Sequence, residues 1–74
     1  MKRDIKKVIG ANIKRYRQEL GLSQEDLANK ADLHRTYIGG VERGERNITV
    51  ESLQRITDAL GVLITDIVSE EKNI

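Results

Sequence analysis

The sequence predicts an all-α fold, a compact bundle of five short helices, on three observations. Apolar residues recur at helical spacing in successive segments, with no strand-like alternation of useful length. Capping residues and glycines fall where those segments should begin and end. No proline interrupts any of them.

The first helix carries Ile5, Val8, Ile9, Ile13, Tyr16 and Leu20 on one face of a 3.6-residue period. Gly21 follows as the residue that ends it in a left-handed turn. Ser23 caps the second helix, with Asp26 three residues on completing a capping box. That helix runs from Gln24 to about Ala31 and turns Leu27, Ala28 and Ala31 inward. Asp32-Leu33 makes a tight connection to a third helix, from about Arg35 to Glu42, which Arg43-Gly44 stops. Thr49 caps the fourth, where Leu53, Ile56, Thr57 and Leu60 repeat at helical spacing until Gly61. Thr65 caps a last turn holding Ile67 and Val68, and the polar tail Glu70–Ile74 frays. The whole of residues 1–74 reads as one domain, with connections of two to six residues and neither repeat nor low-complexity tract.

Composition removes whole classes of function. There is no cysteine, so there is neither a disulfide nor a thiolate metal site. A single histidine cannot build a zinc centre, which takes three or four protein ligands, and no metal or other cofactor is expected. Ser23, His34 and nearby acids invite a triad reading, but no nucleophile elbow or oxyanion loop accompanies them. No catalytic residue is expected. No apolar run reaches the ~20 residues of a membrane span, and no export signal opens the chain. The expected setting is the cytoplasm, with no membrane and no small-molecule ligand. Asn47-Ile48-Thr49 matches a glycosylation sequon, and reads here as a loop and a cap.

The net charge of +1 hides a gradient. Residues 1–20 carry seven Lys or Arg against Asp4 and Glu19, whereas residues 47–74 carry Arg55 and Lys72 against five acids. One reading is a basic face for a polyanion with an acidic end turned away; the other is that charges merely solvate helix faces.

The most informative stretch is Gly21–Gly44, GLSQEDLANKADLHRTYIGGVERG, in which two short helices joined by a tight turn form a helix-turn-helix, the motif spanning about residues 23–43. With the R-N that follows and a capped amphipathic helix ending L-G-V, the pattern covers about Ile9 to Val62. In this the chain resembles the lambda-repressor-like, or XRE, helix-turn-helix regulators. Leu33–Ile38 (LHRTYI) and Val41–Asn47 (VERGERN) look most like restriction–modification controller proteins. The resemblance implies a homodimeric, sequence-specific transcriptional regulator that binds double-stranded DNA in the major groove, on an operator of two half-sites. An antitoxin or phage-type repressor of the same fold is the alternative, as is a protein-binding adaptor. With no ligand domain in view, regulation is expected to come from concentration and dimerisation.

Chemistry supports DNA binding independently: a helix fits the major groove, and an arginine can pair bidentately with guanine. Arg35 and Thr36 open the third helix, and the resemblance maps base contact onto them and onto Gly40. It gives DNA-backbone contact to Ser23, Gln24, His34, Tyr37, Arg43, Arg46 and Asn47. Ser23 and Gln24 lie at a helix N-terminus, which both needs a cap and attracts a phosphate. His34 reads as a cap or as a pH switch, and Tyr37 as core packing or a phosphate contact. Gly39-Gly40 means either close backbone approach to DNA or positions that touch no base. The resemblance also pairs Arg17 with Glu42 as a structural ion pair. Finally, with Leu53, Ile56 and Leu60 filling the core, Leu63, Ile64, Ile67 and Val68 are expected to be surplus and to form a dimer interface.

Overall fold

The computed structural model describes residues 4–70 and contains five helices: α1 (Ile5–Glu19), α2 (Gln24–Ala31), α3 (Arg35–Glu42), α4 (Val50–Leu60) and α5 (Ile64–Val68). The tail expected to fray lies, beyond Glu70, outside the described residues. Each boundary follows from local chemistry. Ser23 Oγ accepts the Asp26 N–H while the Asp26 carboxylate accepts the Ser23 N–H, both at 2.9 Å, so α2 opens on a reciprocal capping box. Thr49 Oγ1 accepts the Ser52 N–H at 3.0 Å and opens α4. Gly21 and Gly61 take φ of 72°, closing α1 and α4 with a left-handed residue that carries no Cβ penalty.

α5 begins differently from expectation. Leu63, not Thr65, is its N-cap residue, and the Asp66 carboxylate accepts the Leu63 N–H at 2.9 Å. Thr65 lies within the first turn. A carboxylate one turn in can satisfy an orphan amide donor even where the cap residue has no polar side chain.

The core is a single cluster drawn from all five helices: Ile9, Ile13, Leu27, Ala28, Ala31, Ile38, Val41, Leu53, Ile56, Leu60 and Ile67. α1 packs on α3 and α5, and α2 packs on α3 and α4. Ile13, Leu27, Ile38, Ile56 and Ile67 are fully enclosed, each worth about 1.5–3 kcal/mol of burial.

Leu20 and Ile67 depart from expectation. Leu20 is 54% exposed, because α1 ends at Glu19 and Leu20 turns away with the C-cap. Ile67, expected at a dimer interface, is fully buried against α1 instead. The anchor is Asn12, a buried polar residue of α1 whose amide donates to Ile67 O at 2.6 Å and Ser69 O at 2.8 Å. That side chain holds the carbonyls at the end of α5, which its short helix cannot satisfy internally. Ile67 is thereby drawn into the core, and of the remaining three, Leu63 and Ile64 are exposed and Val68 half-buried.

Among the described residues, no helix is long and apolar enough to cross a membrane, and no group of His, Asp or Glu is arranged to hold a metal.

Candidate nucleic-acid interface

α3 presents two different faces. Ile38 and Val41 are locked in the core, whereas Arg35 and Thr36 in its first turn are exposed. The helix is fastened to the scaffold at its far end. Arg17, buried on α1, donates from Nε to Glu42 Oε2 at 2.6 Å and from Nη2 to Glu42 Oε1 at 2.9 Å. Its Nη1 donates to Leu22 O at 2.8 Å, and Gln24 Nε2 adds a bond to Glu42 Oε1 at 3.0 Å. The fork-to-fork geometry is the strongest form of a charge-assisted pair, and the Glu42 carboxylate raises the Arg17 pKa above its usual value against the opposing effect of burial. One side-chain network thus ties α1, the start of α2 and the end of α3 together.

α1 and α3 also touch backbone to backbone. Gly10 sits at the crossing, where an added Cβ would collide with Val41 O and lie 2.6 Å from Glu42 O. Only glycine permits this approach. Nothing in the sequence singles out Gly10 or Asn12, because a mid-helix glycine or asparagine gives no signal until its tertiary neighbour is known.

At the other end of α3, His34 Nδ1 accepts the Thr36 N–H at 3.0 Å. With Nδ1 accepting, Nε2 is the ring nitrogen left to donate a hydrogen bond. Arg35 reaches Glu25 only at 3.9 Å, with both side chains about two-thirds exposed at 67% and 65%. Such a pair contributes little and holds the guanidinium loosely. Ser23 and Gln24 open the adjacent α2, with Ser23 and the first-turn amides at its positive end. One Gln24 N–H is already committed to Glu42.

The loop after α3 contributes Arg43, Arg46 and Asn47, all exposed. Arg43 Nε pairs with Glu45 at 3.0 Å, while the Arg46 guanidinium lies 5.7 Å from the centroid of the half-buried Tyr37 ring. Gly40, expected to face a base, is buried. The Arg46 side chain covers it, so the loop, not the helix backbone, forms the surface there.

Not every amino-terminal base joins this face. Arg17 is consumed by Glu42, and Arg15 pairs with Glu19 at 3.4 Å while stacking on Tyr16. The charge gradient therefore overstates the basic surface by these two side chains, while α3 and the loop behind it carry the exposed Arg35, Arg43 and Arg46.

Comparison with known proteins places this arrangement in context. A family model described as Helix-turn-helix matches residues 13–67. The control protein C.SmaI of Serratia marcescens is 43% identical over 68 residues, covering 92% of this chain and 81% of that protein. The control protein C.BamHI of Bacillus amyloliquefaciens is 40% identical over 68 residues, covering 90% and 84%. Among solved structures, the restriction-modification controller protein C.AhdI from Aeromonas hydrophila superposes with a TM-score of 0.82 at 35% identity, covering 84% of this chain and 94% of that one.

Proposed function

We propose that this chain, which belongs to the helix-turn-helix family of DNA-binding transcriptional regulators, acts as a homodimeric controller that reads a two-half-site operator by inserting α3 into the major groove. The observation that carries the reading is the division of α3. Its inner face and far end are immobilised by the core and by the Arg17–Glu42 pair, while its first turn projects Arg35 and Thr36 outward. A helix N-terminus held in this way is what base-edge readout requires. Similarity to C.SmaI and C.BamHI supports the controller type.

In this reading Arg35 and Thr36 contact base edges. The first turn of α2 receives a phosphate on its backbone amides, with Ser23, Gln24 and His34 Nε2 assisting. Tyr37, Arg43 and Asn47 grip the DNA backbone and set the register without reading sequence. A second copy covers Leu63 and Ile64, which are 68% and 37% exposed beside the half-buried Val62 and Val68. A two-fold dimer then sets its α3 helices about 34 Å apart, one turn of DNA.

Selection from a random duplex pool at stated salt tests the whole reading. Enrichment of a two-fold symmetric sequence supports it; enrichment of nothing, with uniform weak binding, overturns it.

A further inference from the structure

α1 packs against both α3 and α5. Gly10 and Asn12 stand about 200° apart around its axis and about 3 Å apart along it, so they face opposite sides at one level. Gly10 meets the carbonyls of Val41 and Glu42 at the end of α3. Asn12 meets the carbonyls of Ile67 and Ser69 at the end of α5, at 2.6 and 2.8 Å. The five residues of α5 are too few to hold a helix by themselves. The Asp66 carboxylate accepts the Leu63 N–H in its first turn, and Ser69 Oγ donates to Thr65 O at 2.6 Å. Both bonds are internal to the segment. Those from Asn12 tie it to α1.

Resting on the homodimeric reading proposed above, we infer that Asn12 is a positioning residue for operator recognition: through α5 it sets the separation of half-sites that the dimer accepts. An apolar side chain at position 12 could fill the same space, and would let α5 slide or turn against it. A buried amide has no such latitude, because burying it without its partners costs free energy. Its two bonds reach carbonyls two residues apart, which fixes α5 both along its axis and about it. α5 opens at Leu63 and Ile64, the exposed residues assigned above to the second copy. The two-fold axis therefore takes its place relative to α3 from contacts on the two sides of α1. Symmetry doubles any displacement. One base pair is about 3.4 Å of DNA axis, so a shift of about 1.7 Å in each protomer changes the half-site spacing by a full base pair.

The test uses the selected operator, a duplex with one half-site, and operators whose half-sites stand one or two base pairs closer or further apart. The full chain is compared with Asn12→Ala, Asn12→Leu and Ile9→Val, the last a mild truncation of the α1 core. Asn12 lines an open groove with Lys7, Val8 and Ala11, so water can enter the space vacated in Asn12→Ala and meet the freed carbonyls. Asn12→Ala thus decides the matter even if Asn12→Leu, which seals that space, fails to fold. The wild type should favour one spacing sharply, and Ile9→Val should keep its profile. Both Asn12 variants should bind the single half-site as the wild type does, lose about 5- to 150-fold on the operator, and bind the displaced spacings equally well. If they lose affinity but keep the wild-type spacing, or lose as much on the single half-site, Asn12 only stabilises the fold. The same holds if Asn12→Ala does not fold while Ile9→Val does. Either result overturns the inference and leaves the regulator reading intact. A wild type indifferent to spacing, or no tighter on two half-sites than on one, overturns the homodimeric reading and the inference together.

Discussion

Arg17 on α1 and Glu42 at the end of α3 meet in two parallel hydrogen bonds of 2.6 and 2.9 Å, with side chains only 10% and 3% exposed. The pair lets a carboxylate sit in the last turn of a helix, where the dipole disfavours it. It also makes the placement of α3 depend on α1. Removing one partner strands a buried charge, which costs about 3–5 kcal/mol. Glu42→Ala should therefore lower thermal stability sharply, and Glu42→Gln, which retains one acceptor, by less. A melting curve for Glu42→Ala that overlays the wild type would mean the pair is solvated in solution.

The α1–α3 crossing at Gly10 sets a second expectation. Alanine is favoured over glycine in a helix by about 1 kcal/mol, so propensity alone predicts stabilisation by Gly10→Ala. The added methyl, however, meets the carbonyls of Val41 and Glu42, which are backbone and cannot rotate away. Overpacking of this kind costs about 1–3 kcal/mol. We expect net destabilisation, and a loss of DNA affinity beyond the loss of fold as α3 is pushed outward. Calorimetric melting gives the sign, since 1 kcal/mol shifts the midpoint of a domain this size by about 4–8 °C.

Dimerisation should respond to Leu63 and not to the buried core beneath it. Leu63→Asp places a charge on an exposed residue, so the monomer fold should survive. Sedimentation should show wild-type dimers at micromolar concentration and Leu63→Asp monomers, with operator affinity falling in parallel. A wild-type monomer at high micromolar concentration would remove this surface from the account.

Acid should loosen α2 first. The backbone N–H of Ser23, and after it the Ser23 hydroxyl, hold the Asp26 carboxyl below its ordinary range. A lowered folded-state pKa adds stability that is complete above the unfolded value of about 3.9 and is lost as pH falls through the folded one. Asp26→Asn should flatten the stability profile below about pH 4 and leave its shape near neutrality unchanged. Denaturant midpoints across that range would reveal an unaltered acid limb if the cap is not formed.

How much of this was legible in the sequence depends on the range of the interaction. Ser23, Thr49, Gly21 and Gly61 announce helix ends because a cap or a left-handed turn is settled within four residues. The helix-turn-helix is legible for the same reason, since its caps and inward positions recur at fixed local spacing. Ile67 departs from its expected place because core capacity is not a local property of the sequence. Its burial is decided by Asn12, 55 residues away, whose amide is needed by the end of α5. Gly40 misled because a helical wheel marks it as outward, while the loop that covers it is a tertiary event. Gly10 and Asn12 stayed silent for the same reason.

The division between reading and gripping is tested most directly by the salt dependence of operator and scrambled-duplex binding for Arg35→Ala and Arg43→Ala. Arg35 opens the inserted helix, so its loss should cost about 1–3 kcal/mol on the operator and relax preference at one position per half-site. Arg43 leaves the helix at its far end, so its loss should weaken both duplexes nearly equally and reduce the salt slope by about one unit for each phosphate contact removed. If Arg35→Ala weakens both duplexes alike while Arg43→Ala alters base preference, α3 enters the groove in the opposite sense and the account is contradicted.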